Sequence, residues 1–112
     1  MGITQYHIVL VDLDRGGTSK GMGTPMRKVR PCVVISPDEM NRYLRTIVVV
    51  PLTTSAKTYP TRVRIRHQQK TGWMAVDQVT TIDRNEVIRV LGKLTHPEIR
   101  KLKNLIRQTY VD

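Results

Sequence analysis

The sequence predicts a mainly β protein, a small and strongly bent sheet or barrel closed by one C-terminal α-helix. Three observations lead there. Short aliphatic runs recur along most of the chain, and the only sustained three- and four-residue apolar periodicity lies at its end. A length of 112 residues fits one domain, 1–112, built on one core.

The elements follow in order. Ile8 to Leu13 is nearly continuous and rich in β-branched residues, Cys32 to Ile35 is short and apolar, and Thr46 to Leu52 carries three consecutive valines before Pro51. These read as central strands buried on both faces. Ser36-Pro-Asp-Glu opens a short helix reaching Arg45, with Ser36 as its cap. From Arg62 to Arg66, Val63 and Ile65 alternate with three arginines, so a strand there turns two apolar side chains inward and a basic stripe outward. Trp73 to Ile82 is one long strand or a bent pair, with Trp73 in the core. Val87 to Leu94 is another strand, in which Gly92 marks a bulge. Thr95-His-Pro-Glu has capping-box spacing. Ile99, Leu102, Leu105, Ile106 and Thr109 then form one helix face, opposite Arg100, Lys101, Lys103, Asn104 and Arg107.

Residues 15–29 hold four glycines, one proline and no apolar period, which predicts a flexible basic loop. With Arg15, Lys20, Arg27 and Lys28 it reads either as a flap over an anionic ligand or as a loop without a role. The charge favours an anionic partner in any case. Nineteen Lys and Arg against nine Asp and Glu give a formal +10, so a polyanion, nucleic acid first, is the expected ligand. A membrane partner is not expected. There is no lipidation signal, since Tyr6 stands where a myristoylation motif requires Ser or Thr, and no apolar run long enough to span a bilayer. The single Cys32 permits no intrachain disulfide and reads as a buried structural thiol; with no signal peptide, the expected location is the cytoplasm. No His, Cys and carboxylate spacing indicates a metal, and no cofactor is expected. His7 begins a strand and reads either as a general base or as a structural residue, with the structural reading ranked first; His67 falls in a turn and His96 in a helix cap.

Arg30, Thr53 and Asp77 lie at or beside strand ends. A guanidinium, a hydroxyl and a carboxylate gathered by the sheet can grip and cleave a phosphodiester. Each also has an ordinary reading: a loop charge, a hydroxyl that satisfies backbone, a turn cap.

Five segments then fall in a recognisable order: IVLVDLD from Ile8, VRPCVVISP from Val29, VVVPLTTSAKTYP from Val48, VDQVTTID from Val76, and GKLTHPEI leading into the last helix. From Tyr6 onward the chain resembles the MazF/PemK family, toxin endoribonucleases of type II toxin–antitoxin systems. The resemblance implies an SH3-like barrel, similar in fold to CcdB, that works as a homodimer. It implies metal-independent cleavage of single-stranded RNA through attack of the 2'-hydroxyl, leaving a 2',3'-cyclic phosphate and a 5'-hydroxyl. It also implies a cognate antitoxin whose acidic C-terminal tail covers the RNA site.

Residue by residue, the resemblance makes Arg30 the guanidinium at the scissile phosphate and Thr53 a donor to a non-bridging oxygen. Thr54, Ser55, Lys57, Gln78, Arg27, Lys28 and Arg64 complete the RNA contacts it implies. Asp77 is the third catalytic group. Kid-like members carry an arginine two positions before that aspartate, where this chain has Ala75, so Asp77 either moves a proton or supports the site. Tyr6-His7-Ile8-Val9 also replaces the family's frequent Gly-Glu-Ile-Trp. Two other readings share the fold: an inactive nucleic-acid-binding module and a CcdB-like gyrase inhibitor. Phe is absent, so base stacking would fall to Tyr59 or Tyr43.

Overall fold

A curled antiparallel sheet forms the body of the molecule. The computed structural model describes residues 2–13, 29–54, 62–67 and 70–111. In chain order these form β1 (His7–Asp12), β2 (Val29–Val34), α1 (Asp38–Tyr43), β3 (Thr46–Thr53), β4 (Arg62–His67), β5 (Lys70–Ala75), β6 (Thr80–Asp83), β7 (Val87–Lys93) and α2 (His96–Ile106). The strand order is β4-β5-β3-β2-β1-β7, with β6 also paired to β3. β3 is the hub. One of its edges meets β2 from Val49↔Val34 to Pro51↔Cys32; the other meets β6 from Thr46↔Asp83 to Val49↔Thr80, then β5 at Leu52↔Met74 and Thr53↔Trp73. A 3₁₀ turn, Val76–Gln78, carries the chain from β5 to β6. The stretch from Trp73 to Ile82 is therefore a bent pair of strands.

Strand alternation divides the apolar residues between two cores. Even-numbered β3 residues Val50 and Leu52 join Ile8, Val33, Val63, Ile65, Met74, Val76, Leu94 and Leu102, while Ile47 and Val49 join Ile3, Val9, Val11, Cys32, Val34, Ile82 and Val87 on the opposite face. β1, β2 and β3 are buried on both faces, as their near-continuous hydrophobicity predicts.

The helices differ in how well their ends follow the sequence. α2 has the expected capping box: the Thr95 hydroxyl accepts from Glu98 N at 3.4 Å, and Glu98 Oε1 accepts from Thr95 N at 2.9 Å. Its basic residues face outward, and Leu102 is fully buried against the sheet. A π-helical turn, Arg107–Val111, then lets the Tyr110 hydroxyl donate to the Val76 carbonyl at 2.6 Å. In α1 the N-cap is Pro37, without a side-chain cap bond. Ser36 is drawn away because Asn41 is fully buried and needs partners: the Ser36 hydroxyl donates to Asn41 Oδ1 at 2.5 Å and accepts from Val48 N at 3.1 Å.

Gly92 lies beside the expected bulge. Ile8 pairs with Gly92 but Val9 pairs with Val90, so Leu91 is the extra residue. A Cβ on Gly92 would lie 3.1 Å from His67 Cε1, which shows how closely β7 and β4, at opposite ends of the strand order, approach each other.

Leu102→Ala removes the α2 side chain most deeply set in the core and is expected to cost about 2–5 kcal/mol in a urea unfolding curve. Lys103→Ala, on the exposed face, should change stability by no more than about 0.5 kcal/mol.

Candidate active site

Arg30 and Thr53 reach the same place by strand register. Pro31 holds the preceding residue extended, and Arg30 sits in β2 opposite Val11 of β1. The β2–β3 pairs run Val34↔Val49, Val33↔Val50 and Cys32↔Pro51, and Arg30 and Thr53 each lie two residues beyond the last of them, Thr53 paired with Trp73 of β5. Both line a cleft of about 430 Å³ whose other walls are Val29, Pro31, Leu52, Thr54, Ile65, His67, Thr71, Gly72 and Leu91. Arg30 and Thr54 are exposed and Thr53 is half-buried. Among the described residues the cleft thus brings together one arginine, several threonines and apolar side chains. Such a surface suits a phosphate group.

Cys32 lies just behind this wall. Burial pushes its thiol up to about 12, with the Arg30 guanidinium pulling weakly the other way. Its Sγ donates to the Arg30 carbonyl at 3.8 Å. The thiol belongs to the core and takes no part in the cleft.

Asp77 does not line the cleft. It sits in the 3₁₀ turn after β5, where its Oδ1 accepts from Arg62 Nε at 3.2 Å. Arg62 is placed there by the β4–β5 register, in which it faces Ala75. Arg62 thus brings a guanidinium beside Asp77 from the neighbouring strand. This also corrects the basic stripe: Arg64 and Arg66 are exposed, but the Arg62 side chain is only 7% exposed. Arg64 lines a second, shallower groove between β4 and α2, with Arg62, Val63, Lys101, Asn104, Leu105 and Gln108. Gln78 is exposed on the same turn as Asp77.

His67 is the cleft residue that the sequence reading missed. It is the last residue of β4 and not part of a turn, and it continues the inward phase of Val63 and Ile65. That period of two was visible in the sequence; the length of the strand was not. Its Nε2 is buried without a hydrogen-bond partner, an arrangement that ordinarily costs about 1–3 kcal/mol. His7 is at the other end of β1 from Val11, with Nδ1 accepting from Thr4 N at 3.2 Å and meeting the Thr4 hydroxyl at 2.9 Å. It ties down the chain before β1. Arg27, Lys28, Ser55, Lys57, Tyr59 and the loop expected at 15–29, apart from Val29, lie outside the described residues. Among those described, no three His, Cys, Asp or Glu side chains gather as a metal site would require, and no helix is long and apolar enough to cross a membrane.

A curled half-barrel with one C-terminal helix is the fold of a known toxin class. Residues 4–110 match the family described as PemK-like, MazF-like toxin of type II toxin–antitoxin system, and the chain belongs to that family. It is 28% identical over 78 residues to endoribonuclease MazF4 of Mycobacterium tuberculosis, spanning 69% of this chain and 74% of the relative. Endoribonuclease MazF of Staphylococcus saprophyticus is 27% identical over 90 residues, 75% of each chain. The MazE–MazF structure (Form II) from Deinococcus radiodurans superposes with a TM-score of 0.81 at 20% identity, covering 97% of this chain and 96% of that one. A mycobacterial endoribonuclease in complex with its cognate antitoxin gives 0.76 at 23% identity, covering 95% and 92%. These two likenesses establish the fold.

Two predictions follow from the neighbourhood of the cleft. The Cys32 thiol ionises near 9.0 in an unfolded chain and near 12 in the folded one, so across that interval the unfolded state holds fewer protons at Cys32 and stability falls as pH rises. Relative to Cys32→Ala, the wild-type chain should lose unfolding free energy above about pH 9, and not below it, in denaturation curves taken at a series of pH values. Asp77→Asn weakens a charge-assisted hydrogen bond to a buried guanidinium and should cost about 1–3 kcal/mol by the same assay.

Proposed function

We propose that this toxin cleaves single-stranded RNA at the Arg30–Thr53 cleft, by attack of the ribose 2'-hydroxyl on the adjacent phosphorus and without a metal. The observation that carries the reading is that Arg30 and Thr53 line one cleft, on a chain of formal charge +10. The phosphorane formed in the attack carries an extra negative charge on its non-bridging oxygens. Arg30 neutralises that charge, and the Thr53 and Thr54 hydroxyls donate to the same oxygens. The O2'–P bond forms as the P–O5' bond breaks, which yields a 2',3'-cyclic phosphate and a 5'-hydroxyl. Asp77 acts as a support, holding Arg62 and the turn after β5. Such a toxin works in the cytoplasm, where its RNA is.

The partners belong to the same proposal. Two copies of the chain act together as a homodimer. A cognate antitoxin lays an acidic C-terminal tail over the cleft in competition with RNA, helped by the exposed Arg64 and Lys101.

The test is cleavage of a long single-stranded RNA in EDTA with the fragment ends mapped. Discrete cuts bearing 5'-hydroxyls are expected. Arg30→Ala and Thr53→Ala should each lower kcat by about 10²–10³-fold, as loss of an oxyanion donor does elsewhere. Intact RNA that is still bound would instead identify an inactive binding module, and gyrase-dependent DNA breaks would identify a gyrase poison.

A further inference from the structure

β4 keeps one of its edges open. It stands at the end of the strand order and, among the described strands, pairs with β5 alone. Which backbone groups face the open edge follows from one contact. The Arg66 N–H donates to Glu98 Oε2 of α2 at 3.4 Å, and so points away from β5. In an antiparallel pair, residues that bond the partner strand alternate with residues whose N–H and C=O both point outward. Arg64 therefore turns both groups to the open edge, while Val63 and Ile65 bond β5. Among the described residues, neither group of Arg64 has a partner across that edge.

A groove of about 360 Å³ lies between this stretch of β4 and α2. Val63 and Leu105 supply its apolar part, Arg64 and Lys101 its exposed cations, and Asn104 and Gln108 carry amides that both donate and accept. The two carboxylates nearest to it in the fold are engaged elsewhere: Asp77 accepts from Arg62, and Glu98 closes the capping box of α2 and meets Arg66 N. The groove is thus left with a positive charge and a backbone that can pair. A phosphate chain answers only half of that. Phosphate oxygens accept hydrogen bonds but cannot donate to the Arg64 carbonyl, whereas a peptide strand brings both a donor and an acceptor.

We propose that this edge binds an extended acidic peptide segment, which joins the sheet as a strand beside β4. Added antiparallel, the residue opposite Arg64 exchanges two backbone hydrogen bonds with it. A period of two then sets acidic side chains opposite Arg64 and Arg66, both exposed on the outward face, and turns the residue between them toward Val63 and Leu105. The same arginines keep copies of this chain apart, because a second β4 laid on the edge would set arginine against arginine. The charge therefore selects the strand that the open backbone admits. The groove shares no lining residue with the Arg30–Thr53 cleft, so the proposal stands whether or not RNA is cut there.

The probe is a capped, fluorescein-labelled peptide of alternating Glu and Val, added to the full chain and followed by fluorescence anisotropy and by amide hydrogen exchange in NMR spectra. Saturable binding is expected, with exchange slowed at the Arg64 amide and unchanged at Val63, whose N–H already bonds β5. N-methylation separates a strand from a loose counter-ion without altering the protein. Methyl groups on the Glu amides, which face β4, should abolish binding; methyl groups on the Val amides, which face solvent, should leave it. Arg64→Glu should weaken binding by at least about fivefold, and Arg42→Glu, the same charge change on exposed α1, should weaken it less. Absence of saturable binding, equal binding by the two methylated peptides, or an Arg64 amide that exchanges as before would each overturn the proposal. So would an oligouridylate that slows exchange at Arg64 where the peptide does not, a result that marks the groove as a nucleic-acid site.

Discussion

The shared edge of β3 is the constraint on which the rest of the structure depends. A strand has two edges, and β3 must satisfy three partners: β2 along one, and β6 followed by β5 along the other. Both arms of the second edge can hydrogen-bond only if the chain between them steps away, which it does through the 3₁₀ turn at Val76–Gln78. That step lets the sheet curl. The curl brings β4 and α2 over one apolar face, and leaves Ile82 and Val87 to help close the other. Every candidate group is placed relative to β3: Thr53 at its end, Arg30 through β2, His67 through β5 and β4, Asp77 on the turn itself.

The two prolines beside the cleft explain why it opens where it does. The β2–β3 ladder ends at Cys32↔Pro51, and Pro31 is the next residue of β2. Proline has no N–H to give, so the ladder cannot be continued in full past this point. Arg30 and Thr53 keep the register but stand beyond the zipped part of the sheet. Both residues line the cleft at this rim and not a closed core. The Val-Arg-Pro and Val-Pro-Leu-Thr segments share this logic: a proline stands where the ladder ends, and a polar residue one or two positions from it lines the cleft.

Much of this was legible in the sequence, and the illegible part has one cause. Runs such as Ile8 to Leu13 and the valines of β3 gave the central strands because burial on both faces leaves little room for polar residues. Thr95 and Glu98 gave the start of α2 because a capping box is local chemistry. Arg30 and Thr53 are legible as candidates because each adjoins a readable strand end. The pairing of Arg62 with Asp77 required the β4–β5 register, and neither the facing of Arg62 and Ala75 nor the length of β4 is written in a local pattern. His67 escaped for the same reason. Ser36 misled in the other direction, because a buried Asn41 five residues on competes for its hydroxyl.

The apolar half of the cleft wall gives the single charge its leverage. Leu52, Ile65 and Leu91 share the cleft with Arg30, and none of them can screen it as water does. A unit charge pair that is worth about 1 kcal/mol at 4 Å in bulk water is worth about 4 kcal/mol where the effective dielectric falls to about 20. A phosphate seated against Arg30 displaces further water, so the guanidinium acts most strongly when the charge on phosphorus is greatest. The outer charges do other work. If the RNA proposal holds, Arg64, Arg66 and the exposed face of α2 would attract a polyanion over distances of about a Debye length and be screened by salt, whereas a phosphate seated in the cleft, with water displaced, would be screened less. Raised ionic strength should therefore weaken capture of RNA well before it weakens the chemical step, and the two roles of the +10 charge separate along that axis.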